Sequence, residues 1–262
     1  MKIWIISPVG SDKHIKNLID NYNRQEYSDK GLIVVENGEG LGACSKYGFK
    51  PDFIIRSNPP NQAIAKNLGV QMVRKNNGEF WTTFDDDDYY SPLYLNELAT
   101  VAPKADIIGK QWNWVEFDSG LFLFRENSHN QYALDVQGPT ISAWTAVTIP
   151  FRENMMISED IQFCKDMVSA GARVYRSSIK HFCYNRKKGV HRWSIKEEDA
   201  RKKFGDGKFF GKMPYHICDQ ENPLGGILAP TSISDSELIK NLFKEESKES
   251  VEDIKQTNIQ AY

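Results

Sequence analysis

An α/β fold, with a mostly parallel central sheet flanked by helices, is what these 262 residues predict. Three observations carry the prediction. Apolar runs of strand length alternate with stretches of helical spacing through the first hundred residues. Glycine-, proline- and asparagine-containing turns punctuate them. Two of the apolar runs end in polar clusters, ENGEG and DDDD, and an open parallel sheet binds its ligands outside the carboxyl ends of its strands.

The elements follow in order. KIWIIS (2–7) is a first strand, closed by a turn in SPVGSD. HIKNLIDNYNRQ is a helix with Ile15, Leu18, Ile19 and Tyr22 on one side. GLIVVENGEG (31–40) is a second strand ending in a Gly-rich turn, and FIIRS (53–57) a third. NQAIAKNLGVQMVRKNNG is a helix with apolar Ile64, Ala65, Leu68 and Val73 and a stop at Gly78. EFWTTF (79–84) is a fourth strand, running straight into the aspartates. Further on, ADIIGKQWNWVEF and SGLFLFR pair around a turn at 118–120, ISAWTAVTIP is another strand, and a helix runs from Glu159 to Ala170 before a strand. The expected division is a first half of one domain (1–100), a second half of the same domain (101–230) and a helical C-terminal tail (231–262).

Bulk properties narrow the function only slightly. The formal net charge of −2 points to neither a nucleic-acid nor a membrane partner. The N-terminus reads as a strand rather than a secretory leader, and no apolar run approaches the roughly 20 residues a spanning helix needs. Cys44, Cys164, Cys183 and Cys218 are scattered, without the pairing of a zinc site or a disulfide frame. A cytoplasm is the expected location, a host's if the chain is viral. One segment is strongly basic: residues 165–212 carry 14 Lys and Arg against 5 Asp and Glu.

The stretch FDDDDYYSP (84–92) is the sharpest signal. Adjacent carboxylates repel, and a divalent cation relieves the repulsion. A helix cap at Asp88 or Ser91, with Pro92 as first helical residue, accounts for part of the stretch but not for four acids. Mg²⁺ and Mn²⁺ are usually held by one or two carboxylates together with substrate phosphate oxygens. Neither an EF-hand loop nor a P-loop is present.

Four pieces, spanning about Lys2 to Ser194, resemble the GT-A glycosyltransferases of the family 2 type. KIWIISPV with LIVVENGEG resembles their opening strands. NQAIAKNLGVQMVRKNNGEFWTTFDDDDYYSPLYL resembles their A-R-N-x-G helix and D-x-D strand, with Lys66 where Arg is usual. ISEDIQFC resembles the E-D motif of the acceptor-side helix, and YNRKKGVHRWS the late Y-x-R-x-x-x-x-H segment.

The resemblance implies a metal-dependent, inverting transfer of a sugar from a nucleotide-diphosphate sugar, a UDP-sugar first, with Mn²⁺ or Mg²⁺ as cofactor. Asp87, Asp85 and His191 are then the metal ligands. Pro8, Glu36, Asn37, Lys66, Asp85, Asp86, Arg186, Lys188 and Arg192 line the donor site, with Glu36 where aspartate is usual. Asp160, ahead of Glu159, is the general base, at a helix start that Ser158 is placed to cap. Trp144 and Trp193 are the acceptor-side candidates, although for Trp144 taken singly a core position is the better reading. Gly189 stands where a processive synthase has glutamine. The acceptor remains open between a glycan, a small molecule and a hydroxymethylated DNA base. Two rivals stay in view: a sugar-nucleotide pyrophosphorylase, whose Gly-rich loop after strand one is missing, and a non-catalytic metal- or sugar-binding protein.

Overall fold

The computed structural model describes residues 1–110, 112–125, 138–155, 158–187, 196–199 and 208–209. Two units divide the chain, Met1–Asp219 and Gln220–Tyr262, and all described residues belong to the first. The expected C-terminal tail lies outside them.

Four apolar runs form the parallel heart of the main sheet: β1 (Ile3–Ser11), β2 (Lys30–Glu39), β3 (Phe53–Ser57) and β4 (Phe80–Thr83). β1 pairs in parallel with β2 on one side and β4 on the other, and β2, followed in the chain by the one-turn α2 (Ala43–Lys46), pairs in parallel with β3. Three later strands complete the sheet, β6 (Ile107–Lys110), β9 (Ser142–Trp144) and β10 (Val174–Ser177), in the order β10-β6-β9-β4-β1-β2-β3. β9 is antiparallel to both its neighbours. A second sheet holds β5 (Tyr89–Tyr90), β7 (Trp112–Phe117), β8 (Gly120–Arg125), β11 (Phe182–Asn185) and β12 (Lys208–Phe209), in the order β12-β8-β7-β11-β5.

Period-2 alternation explains how the helices cover both faces. Ile3, Ile5, Leu32 and Val34 point one way, onto α1 (Ile15–Arg24) and α4 (Tyr94–Val101) through Ile15, Leu18, Leu95 and Leu98. Trp4, Ile6, Ile33 and Val35 point the other way, onto α3 (Gln62–Lys75) and α5 (Glu159–Ser169) through Ala65, Val73, Phe163 and Met167. Each such fully buried side chain contributes about 1.5–3 kcal/mol. α3 lies close on β1, and only a glycine permits it: a Cβ at Gly69 would stand 2.3 Å from Cγ2 of Ile6.

Several boundaries differ from the sequence expectation. β1 does not turn at Pro8 but continues to Ser11 beside β2. Its ladder to β4 ends at Ile6↔Thr83, with Phe84 N–H still donating to Ile6 O, so Pro8 lies beyond the stretch shared by both neighbours. β9 stops at Trp144 instead of running through ISAWTAVTIP, because Val147 N–H and Thr148 Oγ1 both fold back onto the Trp144 carbonyl. α4 starts at Tyr94 rather than Pro92, and Ser91 Oγ accepts from Leu93 N–H in a turn ahead of it.

Candidate active site

β4 delivers the aspartates to the carboxyl edge of the sheet, on the same edge as the end of β2 across β1. Asp85, Asp87 and Asp88 each offer a carboxylate oxygen, all within 4.8 Å of one another. Asp88 is 1% exposed, and its Oδ1 accepts from Asn185 N–H at 3.0 Å, with Arg186 Nη1 at 4.0 Å. Asp88 is therefore an acid of the cluster and not a helix cap. Burial pushes the Asp85 carboxyl up to about 7; Asp87 and Glu159 push the same way, against Lys66 and Arg186. Burial, then Asp87, also raises Asp88 well above the ordinary range. Three crowded oxygen donors that resist holding their charges together fit a hard divalent cation such as Mg²⁺ or Mn²⁺.

The backbone beneath the acids is fixed by α1. Asn17 Nδ2 donates to the carbonyls of Asp86 (2.9 Å) and Asp88 (2.7 Å). Asn21 Nδ2 donates to the Asp88 carbonyl while its Oδ1 accepts from Tyr90 N–H. Gln25 Nε2 donates to Ser91 O and its Oε1 accepts from Leu95 N–H. The i, i+4 spacing puts Asn17 and Asn21 on one face of α1, and Gln25 follows immediately after its last residue. The pattern N-x-x-x-N-x-x-x-Q was present in the sequence; what it faces was not.

Opposite the acids stand α3 and α5. Lys66 is 3% exposed and Glu159 9%, and Lys66 Nζ donates to Glu159 Oε1 at 2.8 Å. Burial alone would lower Lys66, but the Glu159, Asp160 and Asp85 carboxylates outweigh it and leave the ammonium more basic than usual. Burial would likewise raise Glu159; the Lys66 ammonium reverses that and holds it below its ordinary range. Next to Lys66, Asn67 binds Phe151 through both ends of its amide and also reaches Glu153, which fixes the segment leading to α5. Asp160 Oδ2 accepts from Gly138 N–H at 2.9 Å and Oδ1 from Ile161 N–H at 2.8 Å. Ser158 makes no side-chain cap: it has φ 61°, a left-handed backbone, and Asp160 takes a first-turn N–H instead.

The remaining expected residues divide. Pro8 is buried in β1, and Asn37 is buried at the end of β2. Glu36 is fully buried, its two oxygens accepting from Gly42 N–H and Cys44 N–H, so it fixes the turn after β2. Arg186 approaches Asp88, and Lys187 pairs with Glu116 at 2.8 Å. Trp144 is placed away from the acids: it pairs with Phe80 at the start of β4, and its Nε1 donates to Ala102 O. That is the position of a packing residue. Lys188, His191, Arg192 and Trp193 lie outside the described residues.

This arrangement has the architecture of known proteins. The chain superposes on S. aureus TarS residues 1–349 with a TM-score of 0.53 and 19% identity, over 71% of this chain and 61% of that one. The same protein in complex with UDP-GlcNAc gives a TM-score of 0.53 and 18% identity, over 77% and 64%. The chain thus spans less than two thirds of those structures' length. No protein-family model and no curated protein matches the sequence. The fold is GT-A: a mostly parallel sheet flanked by helices, with an acidic cluster at the carboxyl edge.

Proposed function

We propose that the chain is a glycosyltransferase, moving a sugar from a nucleotide-diphosphate sugar, a UDP-sugar first, onto an acceptor hydroxyl with inversion. The observation that supports it most is the Asp85–Asp87–Asp88 cluster at the carboxyl edge, within the electrostatic reach of Lys66, Glu159 and Arg186. Asp85, Asp87 and Asp88 would hold Mn²⁺ or Mg²⁺, with Asp86 beside them. When bound, such an ion supplies Lewis-acid stabilisation of the charge growing on the departing diphosphate.

The chain's own groups do the rest. Arg186 offers a cation to the diphosphate oxygens, and the ends of β1 and β2, with Pro8 and Asn37, border the nucleotide. Glu159 is committed to Lys66, which leaves Asp160 as the base. The acceptor oxygen bonds to the anomeric carbon as the carbon–diphosphate bond breaks on the opposite face, and Asp160 takes the acceptor's proton. Gly138 N–H orients that carboxylate. Among acceptors we favour a glycan or small-molecule hydroxyl over a hydroxymethylated DNA base, because Arg173 and Lys187 of the basic 165–212 segment pair with Asp106 and Glu116 of this chain.

The test is a panel of nucleotide sugars incubated with the purified protein and Mn²⁺ or Mg²⁺, scored for released nucleoside diphosphate, alongside D160N. Release by the wild type and loss in D160N supports transfer. Formation of a nucleoside triphosphate and a sugar 1-phosphate once pyrophosphate is added to the panel would make it a pyrophosphorylase, and binding without turnover a sugar-binding protein.

A further inference from the structure

The acidic loop and the proposed base belong to segments more than 70 residues apart, yet one side chain joins them. Tyr90 is fully buried and stacked on Phe84 at 3.8 Å between ring centroids. Its hydroxyl accepts from Asp85 N–H at 2.8 Å and donates to Pro139 O at 2.8 Å. The donor and acceptor roles are complementary, so one hydroxyl serves both contacts. The turn it reaches, Gly138–Thr140, is the turn whose Gly138 N–H donates to Asp160 Oδ2. The turn has a second tether to β4: Thr83 Oγ1 donates to Gly138 O at 2.7 Å. It also fits tightly under Asp160, since a Cβ at Gly138 would lie 2.8 Å from Asp160 Oδ2.

We infer that Tyr90 is a positioning residue, which keeps the Asp160 carboxylate in register with the cation-binding loop through the Gly138–Thr140 turn. The inference rests on the glycosyltransferase reading above. Its physical content is that one oxygen of the base is held by its own helix, through Ile161 N–H, and the other by the turn, while the turn is tied to β4 and the acidic loop by Tyr90 and Thr83. Misplacement by a fraction of an ångström is costly to a transfer reaction.

Y90F removes one oxygen and keeps the ring stack. It should lower kcat by about 10-fold, the scale on which orienting partners act, with little change in donor KM. Amide exchange at Asp85 and Gly138 should accelerate, because both lose order at the same bridge. In the D160N background, Y90F should cost nothing further, since a residue acting through Asp160 cannot lose what is already gone. An unchanged kcat, or a loss that adds in full to that of D160N, overturns the inference. If Y90F does not fold, T83V cuts the other tether, and the same criteria of kcat, Gly138 exchange and non-additivity with D160N decide. A wild type that neither binds Mn²⁺ nor turns over any nucleotide sugar overturns the underlying reading, whereas an active wild type matched by Y90F overturns this inference alone.

Discussion

Replacing Lys66 with methionine tests how the two halves of the site are joined. The ammonium is 3% exposed and sits 2.8 Å from Glu159 Oε1. Methionine fills the same space without charge, so Glu159 is left buried beside Asp85 and Asp160. Removing one partner of a buried pair commonly costs about 3–5 kcal/mol. The stranded carboxylate has an escape, which is to take up a proton. From its ordinary pKa of 4.5, protonation at pH 7 costs about 3 kcal/mol. The expected loss is therefore about 3 kcal/mol, or a drop in Tm of roughly 6–12 °C for a domain of this size. The sign with pH follows. In the wild type Glu159 lies below its ordinary range, so it stabilises the fold above the unfolded pKa, and that stability fades as pH falls through the folded value. In K66M the same carboxyl is raised and destabilises increasingly as pH rises above the unfolded value. The gap between the two proteins should narrow on acidification, by up to about 1.4 kcal/mol per pH unit. Urea unfolding at pH 7, 6 and 5 measures this. The double variant K66M/E159L should regain most of the loss, because an apolar pair carries no stranded charge. A loss under 1 kcal/mol at pH 7, or one that does not vary with pH, would refute the reasoning.

Three further outcomes are expected. Mn²⁺ at a hundred times its Kd should stabilise the wild type by about 2.7 kcal/mol in thermal melts, and D87N, with one donor of the cluster gone, should show little of that shift. N21L leaves Tyr90 N–H without its side-chain acceptor and removes one of the two amides that donate to the Asp88 carbonyl; denaturant unfolding should show a loss of about 2–4 kcal/mol, and a loss below 1 would mean that the loop reorganises freely. His181, lowered to about 4 by burial and by Lys110 and Lys180 against Glu97, stays neutral in the fold while the unfolded chain protonates near 6.5, so stability falls as pH drops from 6.5 towards 4. H181N should flatten that slope, by about 1 kcal/mol at pH 5 after allowance for the ring's partial exposure, and a variant with the wild-type pH dependence would exclude the imidazole as its source.

The parallel half of the fold was legible because β1, β2 and β4 are buried on both faces along most of their length and so read as unbroken apolar runs. FIIRS matched β3 residue for residue, and the helix from Glu159 ended one residue earlier than expected. The errors have local causes. Pro8 and Gly10 imitate a turn, yet β1 passes through them because β2 continues alongside. Ser158 has the residue type of a cap and the wrong backbone for one. The site was legible where the chemistry lies within a few residues, as in the aspartates. It was illegible where partners are remote: Lys66 with Glu159 across 93 residues, Asn17 with Asp88 across 71, Tyr90 with Pro139 across 49. The resemblance nominated Glu36, and the stacking surface of an indole near the E-D motif nominated Trp144; in the structure Glu36 accepts from two N–H groups of the turn after β2, and Trp144 Nε1 donates to Ala102 O.

The uneven length of the central strands has a consequence of its own. β1 and β2 stay paired as far as Ser11↔Glu39, whereas β4 leaves β1 at Ile6↔Thr83. The carboxyl edge is thus a stair with its riser between β1 and β4, and at about 3.3 Å per residue the riser stands some 15 Å high. The acids occupy the lower step, with strand backbone as a wall on one side and α1 amides as a floor. The aspartates thus leave β4 at a level where β1 still has five residues to run, so the backbone of the β1–β2 pair extends past the point where they begin. Lengthening β4 by two residues would raise the aspartates by about 7 Å, close to half the height of that riser.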